Sequence, residues 1–95
     1  MSANLTLALK RRWFDDIKSG TKTEEYRIAN EYWSKRIIDR SYDTVTFTLG
    51  YPKRDDHSRR VIRRYLGYEI KTMIHDEFGP DPVNVFALQF EDKTP

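Results

Sequence analysis

The sequence predicts an α+β domain, mostly β, in which the strands close into a small barrel with two short helices beside it. Three observations lead there. Apolar and polar residues alternate along Leu5–Leu9, 44–49, 60–73 and 83–90, the period of half-buried strands. Only two segments carry four-residue apolar spacing, Trp13 with Ile17 and Trp33 with Ile37. The chain has 95 residues, enough for one small domain, and neither a repeat nor a linker divides it. One domain is therefore expected over 1–95, with its core in about 5–90. Strands with one polar face each close most economically into a barrel.

The first strand follows from Leu5, Leu7 and Leu9 alternating with Thr6 and Ala8. A helix then runs from Leu9 to Ser19, apolar at Trp13, Phe14 and Ile17. Gly20 stands where a left-handed residue ends a helix. Thr23–Arg27 reads as the second strand. Asn30 is an N-cap, Glu31 suits the positive end of the helix dipole, and this second helix ends near Asp39. Val45, Phe47 and Leu49 share one face of the third strand, with threonines on the other. Gly50-Tyr51-Pro52 stops it, and 53–59 is a polar loop or hairpin tip. In the fourth strand Ile62, Leu66, Tyr68 and Ile70 fall on one parity, and Gly67 marks a bulge. Pro80 and Pro82 forbid a long helix in 74–82. Phe86, Leu88 and Phe90 give the last strand its inward face.

Composition bounds the chemistry. There is no cysteine, which excludes disulfides, thiolate zinc sites and cysteine nucleophiles. No apolar run approaches membrane-spanning length, and the first residues lack the form of a secretory signal, so a cytoplasmic protein without a membrane partner is expected. Aromatic residues reach 14%, and large rings bury much apolar area in a small core. Charged residues reach 34% for a net charge of only +2, yet the cations cluster at 10–12, 35–36, 53–54 and 59–64. Segregated charge can give one positive face to a nearly neutral molecule; a solvated surface with local ion pairs is the plainer reading.

The most informative segment is Gly20-Thr21-Lys22-Thr23-Glu24-Glu25-Tyr26-Arg27. A helix stops at a glycine and enters a strand carrying both signs of charge, which presents cations to an anionic ligand beside a carboxylate. Gly20, Lys22, Glu25 and Arg27 spell G-x-K-x-x-E-x-R after a helix containing Trp13-Phe14. In this the chain resembles the ASCH domain of the PUA-like superfamily, over about Leu7 to Phe90; Phe47-Thr48-Leu49-Gly50-Tyr51 is similar to the family's central strand and turn. The resemblance implies a PUA-like barrel of five to six strands, helices flanking a cleft lined by the motif, and a role in binding or modifying RNA. One branch of the family hydrolyses N4-acetylcytidine. It carries a threonine where this chain has Glu25, a lysine matching Lys22, and a distant glutamate for which Glu77 is the candidate. Another member is described as a ribonuclease.

Residue chemistry gives each position a role. Lys22 is a compact charge for a phosphate or a developing oxyanion, or a partner for Glu24 or Glu25. Glu25 accepts from a base amine, serves as a general base, or pairs with Arg27. Arg27 grips phosphate through paired hydrogen bonds. Tyr51, and less directly Tyr32 and Tyr65, offer rings for base stacking, at about 1–3 kcal/mol per base. Lys53, Arg54, Arg59, Arg60, Arg63 and Arg64 form a basic rim, or a solvated hairpin paired with Asp55 and Asp56. Trp13 and Trp33 are expected in the core, and His57 and His75 on the surface. No metal spacing or glycine-rich phosphate loop is present, and no cofactor is expected. The leading expectation is a module binding RNA or a nucleotide through Lys22, Arg27, Tyr51, Lys53, Arg54, Arg63 and Arg64. The alternatives are a metal-independent hydrolase with Lys22 and Glu25 as catalytic residues, and a protein-interaction domain.

Overall fold

A computed structural model describes residues 3–95. Five strands, β1 (Asn4–Leu9), β2 (Glu24–Ile28), β3 (Thr44–Leu49), β4 (Arg60–Met73) and β5 (Val83–Phe90), form one mixed sheet in the order β1-β3-β4-β5-β2. β1 runs parallel to β3; the other pairs are antiparallel. Two helices, α1 (Arg11–Lys18) and α2 (Glu31–Ile37), flank β2 in the sequence. The α+β, mostly β architecture and every strand expected from alternation are present. No helix is long and apolar enough to cross a membrane.

The core lies against one face of the sheet. Leu5, Leu7, Leu9, Val45, Phe47, Val61, Phe86, Leu88 and Phe90 meet Phe14 and Ile17 of α1 and Ile37 of α2. Each large apolar side chain removed from water contributes about 1.5–3 kcal/mol, so this cluster is what fastens both helices to the strands. The Phe47 and Phe90 rings meet at 4.6 Å across it, tilted by 54°.

The long β4 serves two partners. Residues 60–64 pair with β3, and 65–73 pair with β5. The change falls at a bulge between Tyr65 and Gly67, where Gly67 takes φ 109°, a region open to glycine and strained for other residues. The extra residue reassigns the faces of the strand. Tyr65 and Tyr68, three positions apart, both pack on the core, while Ile62, Leu66 and Ile70 stay exposed. The simple parity of the sequence, with Leu66 and Tyr68 on one side, does not survive this insertion.

The sheet is not closed into a barrel. β1 and β2 stand at opposite ends of the strand order and share no ladder. The register of β2 with β5 places Glu25 opposite Leu88 and Arg27 opposite Phe86, so at the open edge two charged side chains stand where apolar ones would favour closure by burial. A single hydrogen bond from Arg27 Nη2 to Ala8 O of β1, 3.1 Å, spans the opening.

Candidate nucleotide-binding cleft

The opening between β1 and β2 is a cleft of about 270 Å³. Its floor carries Glu25 and Arg27, and its walls are rings: Trp13 from α1, Tyr26 from β2, Trp33 from α2, and His75 and Phe78 from the β4–β5 connection. Pockets with aromatic walls and a few convergent polar groups are where small ligands bind.

Each wall is positioned by local sequence. At the end of α1, Gly20 adopts φ 84°, and the chain folds back so that Thr21 N–H and Lys22 N–H both donate to Asp16 O at 3.0 Å. This reversal delivers Lys22 beneath Trp13 and starts β2. At α2, Asn30 Oδ1 accepts from Trp33 N–H at 2.9 Å, so the cap that begins the helix also fixes the backbone of the ring that lines the cleft. The β4–β5 connection is tied to the N-terminal end of α1 by Lys10 Nζ to Glu77 Oε2 at 2.7 Å and by Arg12 with Asp76 at 3.6 Å. The Lys10 hydrogen bond, helped by Trp13 and Arg12, holds the Glu77 carboxyl below the ordinary range.

The floor is a shared carboxylate. Glu25 is buried; its Oε1 lies 3.5 Å from Lys22 Nζ and its Oε2 accepts from Arg27 Nη2 at 3.1 Å. Lys22 is flanked by the rings of Trp13 and Tyr26, both 4.8 Å from the ammonium, and Arg27 lies 5.0 Å from the Trp33 ring. Trp13, Lys22, Glu25, Arg27 and Trp33 thus form one continuous chain of contacts from α1 to α2. Two cations around one anion leave a net positive charge in a largely desolvated place. Both hydrogen bonds of Arg27 leave from Nη2, and its Nε is buried without a partner.

On the other face of β2, Glu24 is anchored to the outer surface of the sheet. Burial alone would raise its carboxyl, but hydrogen bonds from Lys71, Gln89 and Tyr26 outweigh that and hold it below the ordinary range. The Tyr26 hydroxyl is pushed up to about 12 by burial and by this bond to Glu24. One glutamate of the adjacent pair therefore fixes the strand and the other faces the cleft.

The remaining expected site residues divide. Tyr51 is almost fully exposed at 96% and borders a second hollow that adjoins the cleft. Lys53 and Arg54 stand exposed in the loop after it. That loop is no free tip: Arg60 donates to the carbonyls of Lys53 at 2.7 Å and Asp56 at 2.8 Å. Arg63 does not belong to a basic rim. It is 5% exposed, on the core face of β4, and donates to Ile17 O and Lys18 O at the end of α1, to Ile62 O and to Thr94 Oγ1. Burial lowers its guanidinium from the ordinary value. Arg64 is exposed, 3.8 Å from Glu91, and borders a hollow whose lining shares no residue with the cleft. Tyr65 lines that same hollow with its hydroxyl buried and unpartnered.

Other cleft residues were assigned elsewhere by sequence reasoning. Trp13 and Trp33 are half-buried and pack against the core while also walling the cleft, and His75 is half-buried, packed 5.4 Å from Trp13, 5.7 Å from Tyr26 and 5.0 Å from Phe78. The available signal was the spacing itself, because each tryptophan lies near the charged strand, and Phe78 is an isolated ring in a turn-rich segment. Among the described residues no group of three or more His, Asp or Glu side chains is arranged to hold a metal ion. No protein-family model, curated protein or solved structure matches the chain.

Proposed function

We propose that this chain is an RNA- or nucleotide-binding module of the ASCH, PUA-like type, holding a base between the rings of the cleft. The observation that carries this reading is the inward-facing Glu25–Arg27 pair at the floor of an aromatic hollow. Charged side chains on the core side of a strand cost stability unless they are paired or serve something, and an aromatic hollow with a few convergent polar groups is where a ligand is expected. The rings supply stacking faces, each worth about 1–3 kcal/mol per base. Glu25 keeps lone pairs for a base amine, and Arg27 supplies donors for a carbonyl or a phosphate oxygen.

A second reading has its own support. Lys22 and Glu25 sit 3.5 Å apart with little exposure, the arrangement a metal-independent hydrolase of RNA or a modified nucleoside would use. Against it, Lys22 borders a hollow behind Trp13 and Tyr26 rather than the cleft itself. Incubation with a mixed single-stranded RNA pool decides between them. The binding module retards RNA, more weakly as salt rises, and returns it with unchanged mass; Trp33→Ala weakens the retardation. Altered RNA mass that disappears in Lys22→Ala would instead establish the hydrolase. RNA that is neither retarded nor altered would leave the protein-interaction alternative.

A further inference from the structure

We infer that the molecule binds a strand of at least two nucleotides, with one base in the cleft and its phosphate and the neighbouring base in the hollow beside it. The inference rests on the nucleotide reading and names the minimum length of the ligand. The second hollow, about 430 Å³, shares Ala8, Arg27 and Trp33 with the cleft and ends at Tyr51. The two hollows therefore adjoin, one on each side of the Arg27 guanidinium, its hydrogen bond to Ala8 O and the Trp33 ring.

Their charges differ. The cleft is bordered by two carboxylates, Glu25 and Glu77, each paired with a cation of its own lining, Arg27 and Lys10, so acids stand among its cations and it suits an uncharged base. Arg27 and Arg60 border the second hollow, and no carboxylate does. Arg60 spends its hydrogen bonds on the neutral carbonyls of Pro52, Lys53 and Asp56, while the Asp56 carboxylate turns to Arg59 and Ser58. No carboxylate hydrogen-bonds Arg60, and the nearby Asp56 carboxylate, which Arg60 helps hold low, offsets its charge only from outside the hollow's lining. Arg36, 3.6 Å over the Tyr32 ring, adds a cation at the same rim. A phosphodiester is drawn to the side where Arg60 joins Arg27 and no acid lines the wall, Arg27 being already paired with Glu25. Once the phosphate lies there, the next base reaches Tyr51, whose exposed ring has no role in the core and offers a stacking face.

The test compares four nucleoside monophosphates with the matching ribotetranucleotides by calorimetric or fluorescence titration. The tetranucleotide is expected to bind at least tenfold more tightly than its monophosphate. Tyr51→Ala, a change at an exposed turn, is expected to lower tetranucleotide affinity about tenfold, the scale of one lost stacking contact, and to leave monophosphate affinity unchanged. Tyr51→Phe should bind like the unchanged protein. A deoxyribotetranucleotide run alongside separates RNA from DNA as the source of the strand; a gain over the monophosphate with either supports the two-part site. A tetranucleotide no tighter than a monophosphate that does bind, or a Tyr51→Ala effect equal for both, overturns this inference and spares the nucleotide reading. Failure of every monophosphate and every tetranucleotide to bind overturns both.

Discussion

Glu25 concentrates the conflict between stability and use. Its carboxylate is the only anion between Lys22 and Arg27, and all three side chains are largely buried, with exposures of 8%, 13% and 20%. Removing one partner of such a group leaves buried charge uncompensated, at a cost of roughly 3–5 kcal/mol. Glu25→Ala is therefore expected to lose about that much unfolding free energy in a urea titration; a loss under 1 kcal/mol would mean the triad is solvated. Arg63 separates a structural cation from a binding one. Hydrogen bonds to a charged group contribute about 1.5–3 kcal/mol. Arg63→Ala should lose stability on that scale while the folded protein retards RNA as before, and weakened retardation at full stability would restore Arg63 to the interface. Tyr65 has the opposite sign. Its hydroxyl is buried without a partner, and such a group costs about 1–3 kcal/mol. Tyr65→Phe should leave stability equal or raise it by about 1 kcal/mol, and a clear loss would reveal a hydrogen-bond partner.

Among the elements, β4 and β2 carry the features that decide the fold. At Gly67 no heavy atom lies within 4 Å of where a Cβ would stand, so the demand for glycine comes from φ 109° and not from crowding. Gly67→Ala should cost more than 1 kcal/mol by backbone strain alone, read from thermal or urea unfolding; an unchanged midpoint would show that the bulge can relax. The strands and both helices were legible because their signals are local: alternation for strands, four-residue spacing and Asn30 for α2, Gly20 for the end of α1. The inward direction of Arg63 was not legible. It depends on the register of β4 with β3 and on the carbonyls of Ile17 and Lys18, which lie 45 or more positions away in sequence. Register past the bulge was equally hidden, since one inserted residue inverts every face beyond it.

At the scale of the molecule, the open sheet and the cleft are one fact. A barrel was the economical expectation from strands alone, but β1 and β2 share no ladder, Glu25 and Arg27 stand at the opening between them, and rings from both helices and the β4–β5 connection line its walls. The motif 20–27 announced the floor of this site; the walls came from His75 and Phe78, which only the path of the chain brings to Trp13. The tyrosines set an alkaline limit on the assembly. Tyr26 and Tyr65 are both raised to about 12 by burial, above the ordinary 10. A group with a raised folded value contributes stability that is complete below pH 10 and lost as pH climbs through 12, because the unfolded chain releases its proton first. Unfolding free energy should therefore fall across pH 10–12, less steeply in Tyr65→Phe; a flat profile there would contradict the burial of both hydroxyls.

Both tryptophans of the chain border the cleft, so intrinsic fluorescence reads its occupancy without a label. Titrating the protein with single-stranded RNA of mixed sequence is expected to give a saturable change in tryptophan emission. The affinity should fall with salt at a slope of about 0.7 per phosphate contacted. RNA that binds with salt sensitivity but leaves both tryptophans unperturbed, or emission unmoved at millimolar nucleotide, would contradict a base held in the cleft.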